Sequence, residues 1–266
     1  MSLGSITSLA KGANAIVATN NGIASLSGTN IKTTGDLSRG FQANYGGEIF
    51  GSSLSISTEG KSSAALATDK GEGKVSCSSC TLSTKDVGSP LIYSTGNIQI
   101  TSIKGTASKA QAIVIEGKNN VKITSSTLKC GGITYNNKND ECGVLIYQSM
   151  SGDSNEGIST FTSTSSTIEI LSTNPSYSIA PMFYITNTET NIKLTSSTLN
   201  FGSNIFMKID EGTWGISGNN GGKAIVTLTC TDVKGNIIVG HTSTLTLYLF
   251  GTNFIGTING ENTAQH

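Results

Sequence analysis

The residues that can do chemistry recur in one place, just after a short apolar strand. Thr19-Asn20-Asn21 follows Ala18, Asn44-Tyr45-Gly46-Gly47-Glu48 follows Ala43, and Thr68-Asp69-Lys70-Gly71-Glu72 follows Ala67. Further on, Ser94-Thr95 follows Tyr93, Glu116-Gly117-Lys118 follows Ile115, and Gln148-Ser149 follows Tyr147. Stacked strands bring such positions within about 5 Å of one another. Arg39, Tyr45, Asp69, Lys70, Glu72, Glu116 and Lys118 then form one mixed-charge patch, with Tyr93 and Tyr147 beside it. A carboxylate or a lysine there can move a proton, and a tyrosine ring can stack on a pyranose. The catalytic candidates are Asp69, Glu72, Glu116, Lys118 and Tyr147. The ligand-binding candidates are Arg39, Tyr45, Glu48, Lys70, Tyr93 and Gln148. Taken structurally, the same charges are surface ion pairs between neighbouring strands, worth about 0–1 kcal/mol each.

The cysteines offer less. Cys77 and Cys80 make one C-x-x-C without the second pair that a zinc site needs, and neither His241 nor His266 is beside a cysteine. Cys77 takes a position held elsewhere by Ile or Leu, which predicts a buried free thiol. Cys130 and Cys142 bracket a polar insertion and can staple it in an oxidising compartment, and Cys230 is left over. No metal site and no cofactor is expected, and two histidines assemble no Ser-His-Asp set.

The elements that position these residues come from a repeat. Val121-Lys122-Ile123-Thr124-Ser125-Ser126-Thr127-Leu128 returns as Phe161–Ile168 and again as Ile192–Leu199, with weaker copies from Ala24, Ile49, Val75, Val226 and Leu247 and a broken one from Ile98. That makes about nine copies, where about three suffice for a solenoid. A second strand precedes each copy, from Ala15–Ala18 through Leu145–Tyr147 to Ile237–Val239. No window keeps a 3.6-residue period, so crossover helices are not expected. One coil cannot bury its apolar face alone, whereas stacked coils share a core. Ile123, Leu194, Leu228 and Leu249 are expected in one inner ladder, and Leu128, Ile168 and Leu199 in another. The Thr-Ser-Ser-Thr runs are expected at corners, with hydroxyls serving backbone groups. Leu66, Ile92, Val114, Ile146, Tyr184 and Ile238 are expected to face outward as an apolar stripe, either a partner surface or a face covered by the same chain. Insertions stand out at Gly131–Gly143, Ser149–Ser159 and Gly212–Lys223, and such loops commonly carry a solenoid's specificity.

Composition agrees. Gly is high at 32, Pro low at 3, charged residues only 13%, and Ser with Thr fills roughly a quarter of the chain. Plentiful β-branched residues and zero net charge oppose disorder. Seventeen basic residues match seventeen acidic ones, Arg39 is the sole arginine, and no basic run exists, which excludes a nucleic-acid binder. No apolar stretch nears the roughly 20 residues of a membrane span. The start, Met1-Ser2-Leu3-Gly4-Ser5-Ile6, has no charged-then-apolar leader, so a mature chain or a fragment of a longer solenoid is expected. No Asn-x-Ser/Thr with x other than Pro occurs, by chance or to avoid N-glycosylation.

Some runs are more specific than the repeat. Ala65–Gly73, Val114–Asn119, Ile146–Asp153 and Trp214–Gly222 resemble those of bacterial β-helix surface proteins, a likeness covering nearly the whole chain. More broadly, the chain resembles adhesin and autotransporter passengers and the fold of pectate-lyase-like enzymes. The resemblance implies an extracellular, all-β, single-stranded right-handed parallel β-helix, here one domain over residues 1–266. It implies little about activity, because the fold hosts lyases, hydrolases, adhesins and stalks. The lyase pattern of clustered Asp calcium ligands with an Arg base is not matched, since Asp69 has no Asp neighbour. The expectation is an extracellular or cell-surface protein that binds a glycan or a protein surface, with self-association through an apolar strand face. The alternatives are a polysaccharide lyase or glycoside hydrolase using Asp69, Glu72 or Glu116 with Lys118 or Tyr147, and a structural or ice-binding solenoid.

Overall fold

The computed structural model describes residues 4–133, 140–149, 154–212 and 221–260. Within them the chain is a parallel β-helix, and every strand pairing is parallel. Each coil passes through three sheets in turn, as in Ser55–Thr58, Leu66–Thr68 and Lys74–Ser78. Sheet 1 has eight strands, from Gly4–Ser8 to Thr198–Asn200. Sheet 2 has ten, from Ile16–Ala18 to Ile258–Gly260, and sheet 3 has nine, from Ile23–Ser27 to Thr244–Phe250. A two-stranded sheet, Val233–Lys234 with Phe254–Ile255, continues the side of sheet 1. About nine coils result, as the repeat predicts. Among the described residues the fold is all-β apart from one short 3-10 turn, Pro175–Ser178, in an insertion that the repeat does not reveal.

The inner ladders follow from the repeat. Ile123 stacks on Ser163, Leu194, Leu228 and Leu249, and Leu128 on Ile168 and Leu199. Leu249 keeps that register but is 43% exposed, because its strand is the edge of sheet 3. The outer stripe needs correction. Leu66, Ile92 and Ile146 face inward, in the main core. Leu66 stacks on Phe41 and Ile92 on Leu66, so the inward frame of these strands begins one residue later than their apolar triplets suggest. The outward column is Val17, Gln42, Ala67, Tyr93, Val114, Leu145, Tyr184, Lys208 and Ile238. Its middle is not a bare surface. Val114, Leu145, Tyr147 and Tyr184 are buried with Cys142, a residue of the first insertion, in a second apolar cluster.

The corners explain the Ser/Thr content. At the turn from sheet 3 to sheet 1, Gly28, Ser53, Ser79, Ser102, Ser125, Ser165, Ser196, Cys230 and Gly251 all have φ between 47° and 59°. Small polar residues tolerate this left-handed region better than β-branched ones. At six of the nine the next residue carries a hydroxyl that serves the backbone, while Leu54, Cys80 and Ile103 take the other three places. Ser126 Oγ accepts the Ile103 N–H at 3.0 Å and donates to the Thr124 carbonyl at 2.8 Å. Ser166 accepts from Ser126, and Thr231 from Ser197. A second ladder lies between sheets 1 and 2. There the Ala13, Ser38 and Ser63 amides donate to Ser38, Ser63 and Ser89 hydroxyls, 25, 25 and 26 residues ahead. Ser126 and Ser166 are 40 residues apart and still make the same bond, so insertions leave the register intact. Among the described strands the one shift lies in sheet 2, between Ile205 and Met207, where Phe206 enters the core.

The turn from sheet 2 to sheet 3 is built differently. A Cβ on Gly47, Gly73 or Gly96 would fall 2.2, 2.2 and 2.3 Å from a carbonyl oxygen of the preceding coil. Glycine lets the backbones close there. Tyr45 and Glu72, just before Gly46-Gly47 and Gly73, are turned outward, whereas Thr95, before Gly96, is buried.

Candidate functional site

The expected patch divides in two. At the sheet 2 to sheet 3 turn lies a groove of about 310 Å3, lined by Tyr45, Lys70, Glu72, Thr95, Ser154 and Asn155. Tyr45 and Glu72 hold left-handed backbones, φ 49° and 58°, beside Gly46 and Gly71. Tyr45 stands 53% exposed on its turn. Its amide donates to the Lys70 carbonyl at 2.8 Å, which stacks one turn on the next. Glu72 pairs with Lys118 Nζ at 3.0 Å and accepts from Asn155 Nδ2 at 3.5 Å, 83 residues ahead. Thr95 is buried in the wall, and its Oγ1 has no hydrogen-bond partner among the described residues. A buried hydroxyl left unpaired costs about 1–3 kcal/mol unless something else meets it.

The second part lies on the outer face of sheet 2 and is closed. Glu116 is 1% exposed. Its carboxylate accepts from Tyr93 Oη at 2.5 Å, from Tyr147 Oη at 3.1 Å and from Ser149 Oγ. Burial, then the Glu116 charge, pushes the Tyr93 hydroxyl well above its ordinary range. Burial, then Tyr93, does the same to Tyr147. Both phenols therefore stay protonated and donate. Arg39 bonds Asp69 at 2.7 Å, lies 5.9 Å from the Tyr93 ring centroid, and extends this network by one coil. Gln42 also donates to Asp69, at 3.3 Å.

The two parts meet through the second insertion. Ser154 Oγ donates to the Glu116 carbonyl at 2.8 Å, and the Lys118 amide donates to the Asn155 carbonyl at 3.0 Å. Gln148 is buried, its Nε2 donating to the Ser149 and Ser154 carbonyls at 3.0 and 3.2 Å, so it shapes the insertion rather than the groove. Glu48 lies outside both parts, paired with Lys74 at 2.8 Å at the start of a sheet 3 strand. Ser154 and Asn155 are groove residues that the repeat does not single out, and Thr95, which the repeat places in the same column, is not among the candidates. Position in the insertion was the only signal for Ser154 and Asn155. Met150–Asp153 and Trp214–Asn220, parts of two of the runs singled out in the sequence, lie outside the described residues.

No family model, no curated protein and no solved structure matches the chain. The groove therefore has to be understood from its own chemistry.

All five cysteines are free thiols. Cys77 occupies the inner ladder between Gly51 and Ile100, as its position predicts. Cys80 takes the corner place held by Ser126 in a later coil, accepting the Leu54 N–H at 3.4 Å. The two thiols hydrogen-bond each other, which raises Cys77 and lowers Cys80 to about 7. The Cys130–Cys142 staple is not formed. Cys130 lies in the main core, where burial pushes it to about 12, and Cys142 lies in the outer cluster. Among the described residues no three metal-ligating side chains gather, and no helix is long and apolar enough to cross a membrane.

The Glu72–Lys118 pair sets a titration. The hydrogen bond and charge of Lys118 hold the Glu72 carboxyl below its ordinary 4.5. A carboxyl depressed in the fold keeps its pairing above the unfolded value and loses it as pH falls through the folded one. A carbon-13 NMR titration is expected to put the Glu72 midpoint below 4.5 and to move it up in Lys118→Met. An unchanged midpoint in that variant would show that the pair does not form in solution.

Proposed function

We propose that this β-helix is an extracellular or cell-surface binding module whose groove takes a saccharide. The groove carries this reading: an exposed tyrosine ring beside an ion pair, an amide and hydroxyls, on a rigid stacked scaffold. A sugar offers an apolar face for Tyr45 and hydroxyls for Glu72, Asn155 and Ser154. The likeness to adhesin passengers supports the same reading, and a protein surface rich in hydroxyls and amides is the related alternative.

An enzyme of the lyase or hydrolase type fits less well. Glycoside hydrolysis by the common route needs two carboxyl groups flanking the bond. Among the described residues that line the groove, Glu72 is the one carboxylate, and it is tied to Lys118. Glu116 is enclosed by three hydroxyls, and Asp69 is held by Arg39 and Gln42.

The test is a panel of neutral and anionic polysaccharides, scored for retention and for new reducing ends or unsaturated products. Retention without cleavage is expected. Tyr45→Asn, which suits the left-handed backbone, is expected to weaken it about tenfold, the worth of one stacked ring with its buried area. Cleavage that disappears in Glu116→Gln or Asp69→Asn would replace the binding module with an enzyme. Retention untouched by Tyr45→Asn would move the site elsewhere.

A further inference from the structure

We propose that the outer face of sheet 3 is a second binding site, which takes a linear anionic polysaccharide laid along the solenoid axis. It is independent of the Tyr45 groove, which opens at the turn ahead of this sheet. One outward column of sheet 3 runs through Phe50, Ser76, Gln99, Lys122, Thr162 and Lys193, each one coil beyond the last. Phe50 is 40% exposed, because its column neighbours, Ser25 and Ser76, are too small to cover the ring. A groove of about 490 Å3 opens beside it and reaches Gln99. The two lysines continue the same line.

Charge decides the occupant. Lys122 and Lys193 are exposed, and among the described residues neither forms an ion pair. The pairs that do form on this face, Glu48 with Lys74 and Glu189 with Lys223, cancel themselves. Two positive charges therefore stand uncancelled on a strip of hydroxyls and amides. Thr124, Thr164 and Thr195 flank the lysine column on one side, and Asn120, Thr160 and Asn191 on the other. Such a face complements a polymer that carries negative charge among hydroxyls. Spacing narrows the chemistry. The lysines lie two coils apart, about 9.6 Å at the strand spacing of a sheet. One sugar of an extended polysaccharide is about as long as one coil is high, so the lysines match an anionic group on every second sugar. Thr162 then faces the uncharged sugar between them. In an extended acidic peptide the side chains on one face recur about every 6.6 Å, and a nucleic-acid strand carries a phosphate about every 3.4 Å, so neither keeps this step. Phe50 receives the apolar face of a sugar further along the same chain.

The probe is hyaluronate, which bears one carboxylate on every second sugar, with its carboxyl-reduced form as the neutral control. Labelled oligosaccharides of each are titrated with the whole chain and followed by fluorescence polarisation at low and high salt. The wild type is expected to bind hyaluronate and to release it as salt rises. Lys122→Met and Lys193→Met are each expected to weaken binding about fivefold, the upper worth of one exposed charge pair, and together about 25-fold. Phe50→Ser, which copies its column neighbours, is expected to weaken it several-fold. All three positions are exposed, so circular dichroism should be unchanged in each variant. Tyr45→Asn is expected to leave hyaluronate binding as it is, whereas neutral polymers report the Tyr45 groove and ignore the lysines, so either site can fail without the other. A wild type that does not bind hyaluronate overturns the proposal. So does binding that survives loss of both lysines, or carboxyl-reduced polymer bound equally well. Poly-glutamate or single-stranded DNA held as tightly through the same lysines would also overturn it, by making the face a surface for any polyanion.

Discussion

Phe183→Ala is expected to lower the free energy of unfolding by about 3–5 kcal/mol, the usual range for truncating a fully buried ring. Phe183 is wholly buried in sheet 2, laddered between Val144 and Met207. Its ring lies 5.8 Å from that of Phe161 across the core and 5.7 Å from that of Phe206, edge-on to the latter. Three sources of loss therefore coincide: the transfer of the ring, the aromatic contacts, and a cavity that the stacked backbones on either side cannot collapse to fill. In a solenoid each coil touches only its neighbours, so the damage is centred on the coils of Val144, Phe183 and Met207. Urea unfolding followed by circular dichroism measures the loss, and hydrogen exchange locates it. A loss below about 1 kcal/mol would mean that the rings are not packed as described, because even Ile→Val costs about that much in a core.

Glu116→Leu is expected to cost about 3 kcal/mol, at the lower end of the usual penalty for removing one partner from a buried polar network. The carboxylate is the common acceptor for Tyr93, Tyr147 and Ser149, and leucine leaves those hydroxyls facing each other with nothing to accept them. An opposing effect exists, since replacing a whole buried charged network by apolar groups can be neutral or stabilising. The double variant Glu116→Leu with Tyr93→Phe separates the two. If unmet hydroxyls dominate, the double variant recovers part of the loss. If Glu116→Leu alone is neutral or better, the carboxylate is not what holds this face together. Saccharide retention should fall in the same variant, because the Ser154–Asn155 wall of the groove is anchored through Glu116 and its neighbours.

The sequence made the solenoid legible because stacking forces neighbours to resemble each other. Ile192–Leu199 echoes Val121–Leu128 because both must lie on their predecessors in one register. The hydroxyl corners were legible for the same reason. What escaped was the phase of sheet 2. Its strands are three to five residues long, too short for alternation to declare itself. In Ala65-Leu66-Ala67 the apolar character is the same on both faces, and only the stacking of Leu66 under Ile92 resolves which side is in. The candidate residues were legible as a neighbourhood but not as an arrangement. Tyr45, Lys70, Glu72 and Lys118 do come together, whereas Asp69, Tyr93, Glu116 and Tyr147 are withdrawn beneath the insertion side. Burial depends on Ser149, Cys142 and Ser154, residues of non-repeating segments that obey no ladder.

The direction of the hydroxyl ladders has a consequence for how the chain is made. Ser38 completes Ala13, Ser63 completes Ser38, Ser89 completes Ser63, and Thr231 completes Ser197. In each pair the donor waits for an oxygen that has not yet been synthesised. A coil leaving a ribosome or an export pore is thus finished only by its successor, and the growing molecule always shows a sticky leading rim and a settled rear. Assembly becomes a ratchet in time as well as a stack in space: every new coil locks the one before it, and slipping backward means undoing the most recent bonds first.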